Sequence, residues 1–135
     1  MSEDWVRDIA GMHKYYGVNE KVQEFDAEKL KQFLQFRMSF LMEELEETKT
    51  AVKNNDAEEI VDGLIDLCVV AIGTLDAMGI DSHDAWTQVL RANLAKEVGI
   101  KPERPNPLGL PDLIKPAGWK APSHAKNHGL LSKLK

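Results

Sequence analysis

Apolar residues recur at helical spacing through the first hundred positions, and short polar turns interrupt them. Trp5, Ile9 and Met12 predict a first helix over about 3–15, with Gly17 as its C-terminal stop. Asp26 is a suitable N-cap for a long second helix over about 27–53. Its stripe Leu30, Leu34, Arg37, Leu41, Glu44, Thr48 and Ala51 follows the 3.6-residue period. Asn54-Asn55-Asp56 reads as a turn, followed by a third helix over about 57–78 that Gly79 ends. A fourth runs from Ser82, as N-cap, to about Val98 and Gly99. Little in the chain reads as strand. The expected fold is all-α: an antiparallel four-helix bundle-like core over residues 1–99, with residues 100–135 as an extended arm of the same domain.

The arm has a different character. Pro102, Pro105, Pro107, Pro111, Pro116 and Pro122 exclude a long helix there. From Ile114 onward there is no acid, while Lys115, Lys120, Lys126, Lys133 and Lys135 add positive charge. This Pro-rich, basic extension reads either as a semi-ordered tail or as an arm that packs on a partner subunit or covers an anionic ligand.

The helical pattern carries an anomaly in two acid columns. Glu43, Glu44 and Glu47 form E-E-x-x-E on the second helix, and Glu59, Asp62 and Asp66 form E-x-x-D-x-x-x-D on the third. Residues three, four and seven apart share a helix face. Glu44 continues the stripe of Leu30, Leu34 and Leu41, and Asp62 and Asp66 lie in line with Val69, Val70 and Gly73. These acids therefore point toward the expected core, where a carboxylate is costly unless paired or metal-bound. Nine acids lie between Glu43 and Asp66 against only Lys49 and Lys53. Two facing columns make an oxygen-only cage suited to a hard divalent cation, Mg²⁺ with Mn²⁺ as substitute. Glu46, Glu58 and Glu43 also fit an ordinary solvated face. Arg37, seven residues before Glu44, is placed to pair with an acid or meet a ligand phosphate.

Other chemistries find no support. A di-iron bundle wants E-x-x-H on two helices, but Ala10, Ile80, Ala121 and Ala125 precede the four histidines by three. One cysteine and scattered histidines give no zinc spacing. No P-loop or dinucleotide fingerprint occurs. The net charge of −5 argues against nucleic-acid binding. With 43% apolar and 29% charged residues in 135, the composition is that of one globular domain. Cys68, the single cysteine, reads as a small core residue and suits a reducing cytoplasm. The N-terminus lacks a signal-peptide layout, and the run Leu67–Ile72 is too short for a membrane span.

Both acid motifs closely resemble the E-E-x-x-E … E-x-x-D signature of the all-α NTP pyrophosphohydrolase superfamily, which includes MazG proteins, dimeric dUTPases and phosphoribosyl-ATP pyrophosphohydrolase. EEIVDGLIDLCVVAIGTLDAMGID resembles the family's acid helix, and VLRANLAKEVG the segment after it, with a family asparagine and lysine falling on Asn93 and Lys96. LIKPAGWKAPS resembles the tail of bacterial and phage MazG-like proteins. The resemblance covers roughly residues 30–122. It implies Mg²⁺-dependent hydrolysis of a nucleoside triphosphate to the monophosphate and pyrophosphate. It also implies Glu44, Glu47, Glu59 and Asp62 as principal metal ligands, with Glu43 and Asp66 as further ligands or holding the activated water. Both Asp62 and Asp66 align as the final metal-binding acid. Relatives often carry a tyrosine three residues after Asp66, where this chain has Val69.

The remaining candidates are softer. Arg91, Lys96 and Lys115 suit phosphate contacts, and Asn93 suits base or phosphate. Trp5, Trp86 and Trp119 can stack on a base, but Trp5 and Trp86 read rather as core or interface residues. Phe33, Phe36 and Phe40 fit a bundle or dimer seam, and His13 reads as a surface or interface residue. The expected partners are a nucleotide and further copies of the chain, as homodimer or homotetramer. The reading from a different class is a non-catalytic helical interaction module with solvent-facing acids.

Overall fold

A computed structural model describes residues 2–103 and 106–134. Pro105 and Lys135, counted above, lie outside the described residues. Among the described residues five α-helices occur: α1 (Trp5–Tyr16), α2 (Val18–Gln23), α3 (Ala27–Lys53), α4 (Ala57–Ala77) and α5 (Ser82–Leu94). Two short strands follow, β1 (Glu97–Gly99) and β2 (Asp112–Ile114), then a 3-10 turn over Gly129–Lys133. The chain divides into a helical unit, running to Ser82 and resuming at His128, and a second unit over His83–Asn127.

Local chemistry sets the helix ends. Asp26 accepts a hydrogen bond from the Lys29 backbone N–H at 2.9 Å, and Asp56 accepts from Glu59 N–H at 3.2 Å. Gly17 stops α1 in the left-handed region at φ 69°, where a glycine carries no Cβ penalty. The chain re-enters a helix at once, so α2 is an element the periodicity did not announce; six residues are too few to display a period. Ser82 is the first residue of α5 rather than its cap, and its Oγ has no hydrogen-bond partner among the described residues.

The helical unit is organised by α4, which packs against α3 most extensively and also against α1 and α2. Val22, Leu30, Ala77 and Met78 form its buried centre, with Phe25, Phe33, Leu34 and Ile80 packed around them. Full burial of a side chain the size of Leu30 or Met78 contributes roughly 1.5–3 kcal/mol. The end of the chain docks here too: Leu130 N–H donates to the Met78 carbonyl at 2.7 Å, and Lys133 Nζ donates to the carbonyls of Gln23 and Phe25. The tail's last turn thus packs on its own chain's helices.

His13 is not a surface residue. It is buried, with Nδ1 3.1 Å from Asp76 Oδ2 and 3.3 Å from Asn19 Oδ1. Asn19 Nδ2 in turn donates to Asp76 Oδ2 at 2.9 Å. A local pattern reader sees His13 next to polar Lys14; the tertiary partners on α2 and α4 bury it.

The fourth helix is shorter than expected. Backbone bonds from Ala95 to the Arg91 carbonyl and from Lys96 to the Asn93 carbonyl close it at Leu94. Residues 97–99 then pair antiparallel with 112–114, in the register Glu97↔Ile114, Val98↔Leu113 and Gly99↔Asp112. A helix running to Val98 would preclude that ladder.

Candidate functional site

The acid columns stand on the α3–α4 hairpin, and two contacts fix its register. A Cβ on Gly63 would fall on the Thr48 hydroxyl, and Arg37 Nε donates to Thr74 Oγ1 at 2.9 Å. From Thr48 back to Arg37, and from Gly63 forward to Thr74, is eleven residues in each case, so the helices run antiparallel in step. Glu44 then falls at the level of Asp66, and Glu47 near that of Asp62.

The second helix's stripe is realised in full: Leu30, Thr48 and Ala51 are buried, and Leu34, Arg37, Leu41 and Glu44 are half-buried. On α4, Gly73 is buried and Asp66, Val69 and Val70 are half-buried, but Asp62 is exposed. Glu43, Glu47 and Glu59 are exposed as well. The expectation that the acids point into the core therefore holds for Glu44 and Asp66 only. The others are exposed to solvent.

Glu44 is where the field is felt. Its carboxyl is held above the ordinary glutamate range, first by desolvation and then by the negative charges of Asp66, Glu47, Glu43 and Asp62. Five of the six candidate acids thus form one electrostatic group. Glu59 sits beside it: with Glu47, Thr50, Ala51 and Asp56 it lines an open depression of 360 Å³ at the end of the hairpin. Glu46 lines the same depression and is ion-paired with Lys49 at 3.3 Å.

Among the described residues no three acid, histidine or cysteine side chains close around a single point to hold a metal ion. The donors fit a hard cation by type, all carboxylate oxygens from two facing helices, and the raised Glu44 is the cost that a cation would remove.

Arg37 lies farther along the hairpin. Its Nη2 donates to the Val70 carbonyl at 3.1 Å and its guanidinium lies 5.9 Å from the Phe33 ring centroid. Burial pulls it below the ordinary arginine value. Gly73 makes room for this arrangement, since a Cβ there would lie 2.8 Å from Arg37 Nη2 and 2.9 Å from His13 Nε2. Sequence reasoning placed Thr48 on the core-facing stripe but did not single out Gly63 or Thr74. For Gly63 a signal was present, as glycine inside a helix costs about 1 kcal/mol against alanine and so marks a close approach.

The other four candidates belong to the second unit. Lys96 Nζ lies 5.3 Å and Lys115 Nζ 4.9 Å from the centroid of the Trp119 ring. Arg91 Nη2 donates to the Ala121 carbonyl at 3.3 Å, and Asn93 is half-buried in the last turn of α5.

Of the large aromatics, Trp5 and Trp86 are half or more exposed, Phe33 packs on Phe25 in the core, and exposed Phe36 lies against Phe40. Cys68 is half-buried and lines a 230 Å³ cavity with Trp5, Ile9 and Ile65. Among the described residues no single helix is long and apolar enough to cross a membrane.

A predominantly helical chain with paired acid columns on an antiparallel hairpin defines a member of the all-α nucleotide pyrophosphohydrolases. Residues 17–93 match the family model for phosphoribosyl-ATP pyrophosphohydrolase, and the chain belongs to that family. It is accordingly a hydrolase of phosphoanhydride bonds, which decides against the non-catalytic interaction module. Comparisons with curated proteins and with solved structures give no match.

Proposed function

We propose that the chain is a Mg²⁺-dependent pyrophosphohydrolase whose α3–α4 acids form the reaction centre, converting a (d)NTP or related nucleotide to the monophosphate and pyrophosphate. The observation that carries this reading is the collective field on Glu44, produced by acids from both helices of the hairpin. Glu44, Glu47, Glu59, Asp62 and Asp66 are the metal-holding set, with Mn²⁺ as a substitute ion. Mg²⁺ bound there would neutralise phosphate oxygens and the charge that develops on the departing product.

In the reaction a water oxygen bonds to phosphorus and the α–β anhydride bond breaks, its electron pair leaving with one of the two products. The proton of the attacking water goes to a carboxylate, and Glu43 and Asp66 are the residues assigned to hold that water. Arg37, Arg91, Asn93, Lys96 and Lys115 serve the substrate. For Arg37 the role is indirect, because its Nε and Nη2 are engaged with Thr74 and Val70.

The working form is a homodimer or homotetramer. Support comes from exposed Phe36, Met42 and Leu45 on α3 and Val61, Leu64 and Ile65 on α4, more apolar surface than a lone helical hairpin usually leaves in water. The lone half-buried Cys68 suits the cytoplasm.

The test is a panel of NTPs, dNTPs and phosphoribosyl-ATP, incubated with Mg²⁺ and scored for pyrophosphate against orthophosphate. Pyrophosphate from at least one substrate is expected. Orthophosphate alone from every substrate refutes the reaction.

A further inference from the structure

We infer that Trp119 assembles a polyphosphate-binding site in the second unit, holding Lys96 and Lys115 as a matched pair of cations. The inference rests on the functional reading above only in assigning that anion to the substrate.

The argument begins with the strand register. Glu97 pairs with Ile114 at the end of the ladder, so one step beyond it Lys96 and Lys115 occupy facing positions. Like charges directly opposite each other on antiparallel strands are unfavourable. Among the described residues neither lysine forms an ion pair with a carboxylate that would offset this. Instead both ammonium groups lie within 5.3 Å of one indole centroid, a geometry in which the ring quadrupole attracts each of them. The indole is itself fixed, because Nε1 donates to the Ala92 carbonyl at 2.7 Å. That bond takes up a carbonyl in the last turn of α5, one residue from Arg91. Arg91 in turn reaches across to the Ala121 carbonyl, two residues beyond Trp119. Lys96 and Lys115 are therefore held together on one ring, with Arg91 bonded to the backbone two residues beyond it.

Two mobile ammonium groups held on one ring suit an anion with several separated negative oxygens. A di- or triphosphate chain has that form, and a monophosphate can engage only part of it. Trp119 is a positioning residue: it holds the lysines, and the lysines hold the anion.

The experiment is calorimetric titration of the full chain with inorganic pyrophosphate, with ATP and with AMP, without divalent metal. Pyrophosphate and ATP should bind at least about tenfold more tightly than AMP. The double substitution Lys96→Gln/Lys115→Gln, checked for folding by circular dichroism, should weaken pyrophosphate binding by about tenfold or more, the loss of charge-assisted contacts. Trp119→Phe, which keeps a ring under both lysines, should bind within about threefold of wild type, and Trp119→Leu should approach the double variant. Equal pyrophosphate affinity in wild type and the double variant overturns the site. So does an unchanged nucleotide KM in that variant while wild type turns over, and the hydrolase reading then stands. Lysine-dependent pyrophosphate binding in a wild-type chain that hydrolyses no nucleotide keeps the site and overturns the hydrolase reading instead.

Discussion

The Thr48 hydroxyl occupies the space that a side chain on Gly63 would need, so α3 and α4 meet at a backbone-to-side-chain contact beside the acid columns. Thr48 Oγ1 also donates to the Glu44 carbonyl at 2.7 Å, which holds the hydroxyl in that position. The separation of the two acid columns is set here. Glu44 and Glu47 precede Thr48 on one helix, and Asp62 and Asp66 flank Gly63 on the other.

Gly63→Ala should therefore destabilise the fold by about 1–3 kcal/mol, the usual cost of overpacking, and lower hydrolysis by spreading the acids. Thermal melting and turnover measure the two effects. Combining it with Thr48→Ala should recover much of the stability, and a double-mutant cycle reads the coupling. Additive effects of the two substitutions would contradict the contact.

Glu47→Gln and Asp62→Asn should each reduce turnover by about a hundredfold or more, at least what loss of an outer-shell metal partner costs. Both positions are exposed, so the folded chain should persist, with unchanged circular dichroism. Turnover at wild-type rates in both variants would remove these acids from the reaction.

Metal should stabilise wild type through the same residues. At a Mg²⁺ concentration a hundred times its Kd, linkage predicts about 2.7 kcal/mol, visible as a rise in Tm of several degrees. The rise should shrink in Glu47→Gln. A Tm insensitive to millimolar Mg²⁺ and Mn²⁺ would count against the cage.

The raised Glu44 carboxyl gives a pH dependence of definite sign. Its folded-state pKa lies above the unfolded value, so between those two values the folded chain binds more protons than the unfolded one. Without metal, this group's contribution to stability is full below the ordinary glutamate range and is lost as pH rises through the raised value. Glu44→Gln should thus raise the metal-free Tm at pH 7, and the gain should vanish in acid below the ordinary glutamate pKa. A variant less stable than wild type at pH 7 would contradict the crowding.

The buried His13–Asn19–Asp76 cluster should be structural. His13→Ala leaves Asn19 and Asp76 short of a partner inside the fold, a cost of about 1–3 kcal/mol. Chemical denaturation of His13→Ala and Asp76→Asn would measure it.

Much of this was legible in the chain. The stripe from Leu30 to Ala51 is buried or half-buried as its period predicts, the caps at Gly17 and Asp26 are where their chemistry places them, and the acid motifs lie on a helical hairpin. The errors have a common origin. Residues after Leu94 keep a helix-compatible composition, but their fate depends on a strand partner more than a dozen residues away. His13 looks polar and exposed until α2 and α4 enclose it. Likewise Asp62 follows the same spacing rule as Asp66, yet Asp62 is exposed and Asp66 half-buried.

The sequence by itself determined the long helices of the hairpin, the turn between them and the two acid columns, because periodicity, capping and charge density are properties of neighbouring residues. The tertiary structure alone decided which acids share a field, which helices enclose His13 and Arg37, and that Lys96 and Lys115 meet on Trp119. Those are relations between distant positions, fixed by the close approach of Gly63 to Thr48 and by the register of two short strands.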